Sequence, residues 1–496
     1  MSRNECTGIL VNQGLGLSIF SPAERDLIHL TALDILEHIG VLVESEEAVD
    51  LFTQAGAQAG PPNSRGLRVV KIPQRLVAEA LLSAPKTITF HGRRPEDDYR
   101  TRPARVGFCM FGECLAVNDP VTRENRPSVK KDCGDSARLA DALPGIDIMN
   151  RSICSGDQPP ESQPVHNLDA MMRNTTKHIV LGAGTTANID TMIEVASIYS
   201  GGAEAFQARP TFSLLVCATS PLTLVRHCCD ALIHGARRDL TSIIITMSLL
   251  GGTAPISIAG GVTQHHAEIL SGLVLAQLAR PGAPIMYGGC STALDLKTGV
   301  CALGAPELGT MSAGYVTMAR HVGLPAWCAG GPSDAKIPDA QVGYEYALNA
   351  FQAALAGANL IQGAGALDGG LTYDYAKLMM DHECLMNIRQ VLQGIPVNEA
   401  TLSYDLIAEL GPGGNFLAHK STFKAAKSLS KWDLFDRHPR ENWKAKNPGD
   451  KTVTDRAYER ALEILGTHRP ALEPTPEQVA AVEELIRAHE ARVVKG

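Results

Sequence analysis

Four side chains that could do chemistry fall in one short stretch, GGPSDAKIPD (residues 330–339): Ser333, Asp334, Lys336 and Asp339. The stretch follows the apolar segment LPAWCAG and precedes a helical pattern. A desolvated lysine can attack a carbonyl and form a Schiff base, so Lys336 is a candidate nucleophile of a lyase or aldolase-type enzyme. Alternatively, Asp334, Lys336 and Asp339 organise the loop, with Asp339 capping the next helix.

Sequence patterns of other catalytic sites are absent. The chain has no H-E-x-x-H, no G-x-S-x-G and no Walker loop, which disfavours a metal site, a serine hydrolase and a phosphate-binding loop. The pair His265–His266 starts a helical pattern, and we interpret it as structural or surface. GPGGNF (411–416) is either a close backbone turn or a segment near the functional site.

The cysteines form no C-x-x-C pair, and several lie in apolar segments, where a free cysteine behaves as a small apolar residue. They are Cys6, Cys109, Cys114, Cys133, Cys154, Cys217, Cys228, Cys229, Cys290, Cys301, Cys328 and Cys384. We therefore expect neither a metal cluster nor a disulfide framework.

The composition is that of a globular protein, with 45% hydrophobic and 20% charged residues among 496. The net charge of −8 and the absence of a basic run argue against a nucleic-acid partner. No apolar stretch reaches the ~18 residues of a membrane-spanning helix, and the N-terminus lacks a signal-peptide pattern. We expect a cytoplasmic protein.

Helical patterns begin and end the chain. Ser21, Pro22 and Glu24 form a predicted capping box with proline at the first helical position, and Gly40 ends that pattern. Thr475, Pro476 and Gln478 predict the same device at the start of the last helix.

Eight apolar segments recur from about residue 105, most of them followed by a helical pattern. They lie at 106–112, 146–150, 177–184, 212–218, 242–247, 284–289, 325–330 and 359–365. Buried parallel strands read as continuous apolar runs, and eight β–α units predict a (β/α)₈ TIM barrel. A doubly wound sheet is the alternative, but no strand is followed by G-x-G-x-x-G with a downstream acid. We expect an N-terminal helical and short-strand extension (1–104), the barrel (105–400) and a C-terminal helical region (401–496).

Functional groups of such barrels collect where the strands end. Asn150, Ser291 and Gln362 follow three different predicted strands, and the ring of strand ends is polar but almost uncharged. Phe111, Tyr287 and Tyr373 are aromatic residues close to such ends, and aromatic faces can hold a quaternary ammonium. Trp327, Tyr344 and Phe416 are further aromatic residues of this kind.

Several blocks carry a resemblance to a known family. The region from GGPSDAKIPDAQVGYEYALNA to LDGGLTYD, together with FHGRRPEDDYR, GAPELGTMSAG and GPGGNFLAHKSTFKAAKSLSKWDLFDR, resembles the trimethylamine methyltransferase superfamily. The resemblance covers essentially the whole chain. It implies a cytoplasmic (β/α)₈ barrel that passes a methyl group from an amine to the Co(I) corrinoid of a separate protein.

One departure selects a branch of that family. Methanogen trimethylamine enzymes carry pyrrolysine just before S-D-x-K-x-x-D, where this chain has Pro332. Members without pyrrolysine that have an assigned activity resemble quaternary-amine methyltransferases, with glycine betaine the best-known substrate. The resemblance then implies no permanently bound cofactor and a corrinoid (cobalamin) supplied by the partner. We also expect a homo-oligomer.

For such a reaction, we expect substrate contacts at the strand ends and positioning by the loop Pro332, Ser333 and Asp334. The predicted substrate-binding residues are Phe111, Asn150, Tyr287, Ser291, Gln362 and Tyr373. The alternatives are the Lys336 lyase and a betaine-binding protein without turnover.

Overall fold

A computed structural model of the chain describes residues 16–103 and 105–494. The N-terminal segment that bears on the signal-peptide expectation lies largely outside these residues, as does Cys6. The eleven cysteines within them form no disulfide. No helix in this part of the chain combines the length and the apolar character needed to cross a membrane.

Eight parallel strands form the centre of the molecule. They are β1 (Gly107–Met110), β2 (Met149–Asn150), β3 (Ile179–Leu181), β4 (Phe212–Ala218), β5 (Ser242–Thr246), β6 (Ile285–Gly289), β7 (Ala326–Ala329) and β8 (Leu360–Ala364). From β2 to β8 each strand pairs with the next, and β8 pairs with β1. Asp147, just before β2, donates its N–H to Phe108 O over 2.8 Å and so joins β2 to β1. The predicted barrel is confirmed, with all eight predicted strands in place.

A long helix follows each strand. These helices are α1 (Lys130–Ala142), α2 (Gln163–Met172), α3 (Thr186–Ser200), α4 (Arg226–Arg237), α5 (Ile258–Ala279), α6 (Pro306–His321), α7 (Ala340–Ala356) and α8 (Tyr375–Leu392). His265 and His266 therefore lie inside α5 rather than at its start.

The barrel interior is apolar, because alternate residues of each strand face inward. Cys109, Val180, Ile243, Met286 and Trp327 belong to this inner cluster. At the end where the strands begin, the same cluster contains Ile88, Phe90 and Tyr99. These side chains come from an antiparallel hairpin, Thr89–Phe90 with Tyr99–Arg100, and Tyr99 donates its hydroxyl to Asn359 O over 2.6 Å. The hairpin closes this end of the barrel. Among the described residues, access to the interior is therefore from the opposite end, where the strands end, which we call the mouth.

The N-terminal extension packs on the outside of the barrel. Its elements are a helix Pro22–Asp34 with a π-turn Ile35–Ile39, strands Val41–Val43, Gln58–Pro62 and Arg68–Lys71, and helices Glu46–Gln54 and Gln74–Ser83. Ser21 Oγ accepts from Glu24 N and the Glu24 carboxylate accepts from Ser21 N, so the predicted capping box is confirmed. Gly40, at φ +86°, ends the π-turn.

Short strands form a small sheet beside the mouth. Its strands are Ala116–Asn118, Asn125–Pro127, Ala366–Leu367 and Thr372–Asp374, and a second pair joins Leu249–Leu250 to Thr292–Ala293. The helices after α8 are Glu399–Leu402, Tyr404–Leu410, Lys420–Ala425, Arg440–Lys446, Val453–Thr467 and Pro476–Val493. The last of them begins with the predicted capping box of Thr475 and Gln478.

Candidate active site at the barrel mouth

Two predicted mouth residues meet at the ends of β2 and β8. Asn150 Nδ2 donates to Gln362 Oε1 over 3.1 Å and to Met110 O over 3.1 Å. Both side chains are buried. The amide groups are therefore fixed in orientation at the mouth, as convergence of strand ends requires.

Ser291 is also buried, and its hydroxyl joins two neighbouring loops. Its Oγ accepts from Ser248 N and lies 3.0 Å from Ser248 Oγ, and it donates to Thr246 O over 3.3 Å. Ser291 thus holds together the ends of β5 and β6, with its hydrogen-bonding capacity taken up by the protein itself.

The structure places Tyr287 away from the mouth, which differs from our expectation. In β6, Met286 faces the barrel interior, so Tyr287 faces the helices. Its hydroxyl lies 3.0 Å from His266 Nδ1, and its ring packs against His265. Nearness to a strand end does not determine which way a side chain points, whereas the alternation along the strand does. Both histidines are buried, which agrees with their structural interpretation.

Phe111 and Tyr373 lie on the two sides of the loop after β8. Phe111 lies two residues after Cys109 and therefore faces the same way, towards the barrel axis. Its N–H donates to Ala364 O. Its ring packs on Gly370, which has φ +88°. A side chain at Gly370 would overlap that ring. Tyr373 is fully buried against Tyr375, with ring centroids 5.1 Å apart. Phe111 is thus placed to line the mouth, whereas Tyr373 packs beneath the loop.

The loop after β7 is ordered by one carboxylate. Ser333 Oγ donates to Glu345, whose Oε2 also accepts from Asp334 N over 2.9 Å. Burial raises the pKa of the half-buried Asp334 carboxyl. Pro332 and Ser333 are buried beside it. Glu345 was not singled out from the sequence, where it is one of several polar residues on a helix.

Lys336 and Asp339 form contacts that stabilise the loop after β7 and the start of α7. Asp339 Oδ1 accepts from Gln341 N over 2.9 Å at the start of α7, so the predicted helix cap is confirmed. The Lys336 side chain is 70% exposed, and its Nζ pairs with Asp368 over 2.7 Å. An exposed, paired ammonium lacks the desolvation that activates a Schiff-base lysine. The geometry does not support the Lys336 lyase.

A buried ion pair in α8 anchors both loops. Lys377 Nζ donates to Asp381 Oδ2 over 2.5 Å and to Gly331 O over 3.1 Å. Asp381 Oδ2 in turn accepts from Gly365 N over 2.8 Å. Lys377 is fully buried and lies 4.9 Å from the ring centroid of Tyr346. The backbone after β7 and after β8 is thus tied to one helix. A signal existed in the sequence, since Lys377 and Asp381 are four residues apart on an otherwise largely apolar helix.

The mouth also carries a charged pair, which corrects our expectation of an almost uncharged ring. Arg151, directly after β2, forms an ion pair with Glu113. The Glu113 carboxylate lies over Gly182, where a Cβ would be 3.5 Å from Oε1. The Arg151 side chain is nearly buried, and its Nε has no hydrogen-bond partner among the described residues. Glu113 has φ +82°, a strained conformation that is frequent at functional sites.

An apolar rim lies along part of the mouth. Exposed large apolar side chains occur in five of the loops that follow the strands: Leu115, Met247, Ile256, Leu296, Val300, Ile337 and Leu371. Exposed apolar surface of this kind marks an interaction site. No group of three or more side chains able to hold a metal ion is found in residues 16–103 and 105–494.

Comparison with known proteins gives one family. The model of the trimethylamine methyltransferase (MTTB) family matches residues 3–492. The chain belongs to the trimethylamine methyltransferase family. Its members include a trimethylamine methyltransferase of Desulfitobacterium hafniense (strain DSM 10664 / DCB-2), 40% identical over 96% of this chain and 94% of the relative.

Two further family members differ in their named substrates. A trimethylamine methyltransferase of Methanosarcina barkeri is 35% identical over 94% of each chain. A glycine betaine methyltransferase of Desulfitobacterium hafniense (strain Y51) is 29% identical over 92% of this chain and 94% of the relative. The family shows a methyltransferase, and overall identity alone does not select the amine.

Proposed function

We propose that this protein is a cytoplasmic methyltransferase that moves a methyl group from a quaternary amine, foremost glycine betaine, to the Co(I) corrinoid of a separate protein. The observation that carries the proposal is Pro332, buried after β7 where the methanogen enzymes of the resemblance carry pyrrolysine. Proline has neither a titratable nor an electrophilic side chain, so it cannot activate a neutral amine.

A quaternary amine needs no such activation. The carbon–nitrogen bond breaks with its electron pair going to nitrogen, and a cobalt–carbon bond forms with the electron pair of Co(I). The nitrogen therefore leaves as a neutral tertiary amine, dimethylglycine when the donor is glycine betaine. The methyl acceptor is a co-substrate brought by the partner, so this chain needs no resident cofactor for the reaction.

The task of the mouth is then to position the methyl group. Holding donor and acceptor in line at near-attack distance can lower a barrier by several kcal/mol. Phe111 offers an aromatic face, and Asn150 and Gln362 offer amides that are held in place by their mutual hydrogen bond. An aromatic face suits the reaction, because it attracts the cation without the full charge of a carboxylate.

The Glu113–Arg151 pair supports a zwitterionic donor such as a betaine. The neutral amides of Asn150 and Gln362 and the guanidinium of Arg151 are the candidates to bind the betaine carboxylate. Arg151 is the better candidate, because guanidinium–carboxylate bonds are charge-assisted and its Nε is still without a partner in the described residues. Glu113 then balances the charge of Arg151.

The apolar rim supports docking of a protein partner. A partner that carries the methyl acceptor must cover the mouth, and the seven exposed apolar side chains of the rim provide such a surface.

The test is methyl transfer to Co(I) cobalamin, followed by the methylcobalamin spectrum. We expect turnover with glycine betaine or another betaine (proline betaine, carnitine or γ-butyrobetaine) and little with trimethylamine. Comparable or faster turnover of trimethylamine contradicts the proposal. Tight binding of betaine in calorimetry without methyl transfer, also in the presence of a corrinoid protein, would instead indicate a binding protein.

A further inference from the structure

Residues 395–427, which we call the arm, project from the body of the protein. None of the arm side chains that the structure describes is buried. The hydrogen bonds found for these residues stay within the arm, except that Ala425 O accepts from the adjoining Ser428 Oγ. Eight of its large apolar side chains are 43% to 87% exposed: Ile395, Val397, Leu402, Tyr404, Ile407, Phe416, Leu417 and Phe423. An exposed apolar surface made of eight large side chains marks a protein interface.

The arm contains helical turns that cannot be stable by themselves. Its helices have four, seven and six residues. Isolated helices shorter than about 12 residues are marginal in water, and most of a helix's stability comes from packing of its apolar face. The body of this chain does not supply that packing, so another surface must.

The arm leaves the body at the end opposite to the mouth. It follows α8, where Arg389 Nη2 donates to Gly145 O over 3.3 Å, in the loop that leads into β2. That loop lies where the strands begin. A partner that delivers a methyl acceptor must sit on the mouth, so it does not meet the start of the arm.

The charges of the arm are divided between its two halves. Residues 395–410 contain Glu399, Asp405 and Glu409 and no lysine or arginine. Residues 411–427 contain lysines, among them Lys420 and Lys424, and no aspartate or glutamate. Such a surface is complementary to itself when it is turned through a two-fold axis, because the acidic half of one copy then meets the basic half of the other.

We propose that the arm is the interface of this protein with a second copy of the same chain, packed around a two-fold axis. The apolar side chains form the centre of the contact, and the acidic and basic halves determine its register. The arm helices are stabilised by this association.

Sedimentation velocity of the full chain at matched concentrations tests the proposal. We expect an assembly of an even number of chains for the wild type and a shift to the monomer for Leu417→Ser/Phe423→Ser. Leu82→Ser is the matched control, since Leu82 is 85% exposed on the body of the protein, and should leave the assembly unchanged. A monomeric wild type, or an assembly that persists in the double variant, overturns the proposal.

A charge exchange tests the register separately and does not depend on the apolar variants. Glu409→Lys alone and Lys424→Glu alone each place like charges across the axis and should weaken the assembly. Mixing the two variants restores opposite charges on both sides, so hetero-assembly should recover. Failure of the mixture to associate better than either variant alone contradicts the two-fold arrangement. Association only after addition of a different protein contradicts the second copy as the occupant.

Discussion

Asn150 and Gln362 are hydrogen-bonded to each other across β1, with 3.1 Å between Asn150 Nδ2 and Gln362 Oε1. The same Asn150 amide also donates to Met110 O on the strand between them. Three neighbouring strands are thus linked at their ends by one side chain. Any molecule at this side of the mouth meets two amides whose orientations are already fixed.

Removal of either amide should slow the proposed reaction more than it affects the fold. We expect Asn150→Ala or Gln362→Ala to lower kcat/KM for a betaine by about 5- to 30-fold, which corresponds to about 1–2 kcal/mol. Transfer to Co(I) cobalamin gives the rate, and circular dichroism checks folding. Gln54→Ala, at an exposed position, is the control. Wild-type rates in both folded variants would show that this pair lies outside the site.

Arg151 should control the choice between zwitterionic and simply cationic donors. We expect Arg151→Met to lower kcat/KM for glycine betaine about 10- to 100-fold, because a hydrogen bond to a charged group contributes about 1.5–3 kcal/mol. The rate with tetramethylammonium, which has no carboxylate, should change much less. Arg151→Lys keeps the charge but loses the bidentate geometry. We expect its kcat/KM for glycine betaine to lie between those of the wild type and Arg151→Met.

The control for this change is Arg65→Met at an exposed position. An equal loss for both donors would show that Arg151 acts only on the fold. A wild type without activity on any quaternary amine would instead contradict the proposed function.

The buried pair Lys377–Asp381 should give a strongly non-additive double-mutant cycle. Lys377→Met or Asp381→Leu alone leaves a buried, unpaired polar or charged group, and we expect each to lower the free energy of unfolding by about 3–5 kcal/mol. The double variant should be more stable than either single variant. Urea unfolding measures all four proteins, and additive losses would contradict the coupling.

Acid should destabilise the fold through buried histidines. Burial lowers the pKa of His178 to about 3, and its ring is hydrogen-bonded to Ser213 Oγ and His91 O. The unfolded chain then binds more protons than the folded one below pH of about 6.5, so stability falls as the pH falls from there towards 3. This histidine contributes a slope of up to about 1.4 kcal/mol per pH unit.

We expect His178→Gln to lose that part of the pH dependence, even if it is less stable at neutral pH. Urea unfolding at several pH values measures the slope. His227→Gln, at an exposed position, should keep the wild-type slope. An unchanged slope in His178→Gln would assign the acid sensitivity to other groups.

The fold could be predicted because its pattern is local and repeated. Each buried strand is a continuous apolar run, each is followed by a helical pattern, and both capping boxes have their own sequence signature. Asn150 and Gln362 could be predicted as neighbours for the same reason, since the ends of strands in a barrel lie together.

The remainder of the site depends on which way each side chain faces along its strand and on contacts between residues far apart in the sequence. Tyr287 is one residue out of phase with the interior of β6, and a single step along a strand moves a side chain to the opposite face. Glu113 and Arg151 are 38 residues apart in the sequence, and only the closed barrel brings them together. Glu345 became relevant because the loop after β7 folds back onto α7.

The hairpin with Phe90 and Tyr99 closes one end of the barrel, so within the described residues access to the interior is from the mouth. In the proposed reaction, the amine donor and the partner must both use it, and the partner is far larger. The kinetic scheme is therefore a compulsory sequence, in which the donor enters first and the partner then seals it in. The demethylated amine is released only after the partner has departed, so an excess of partner slows turnover by occupying the empty barrel.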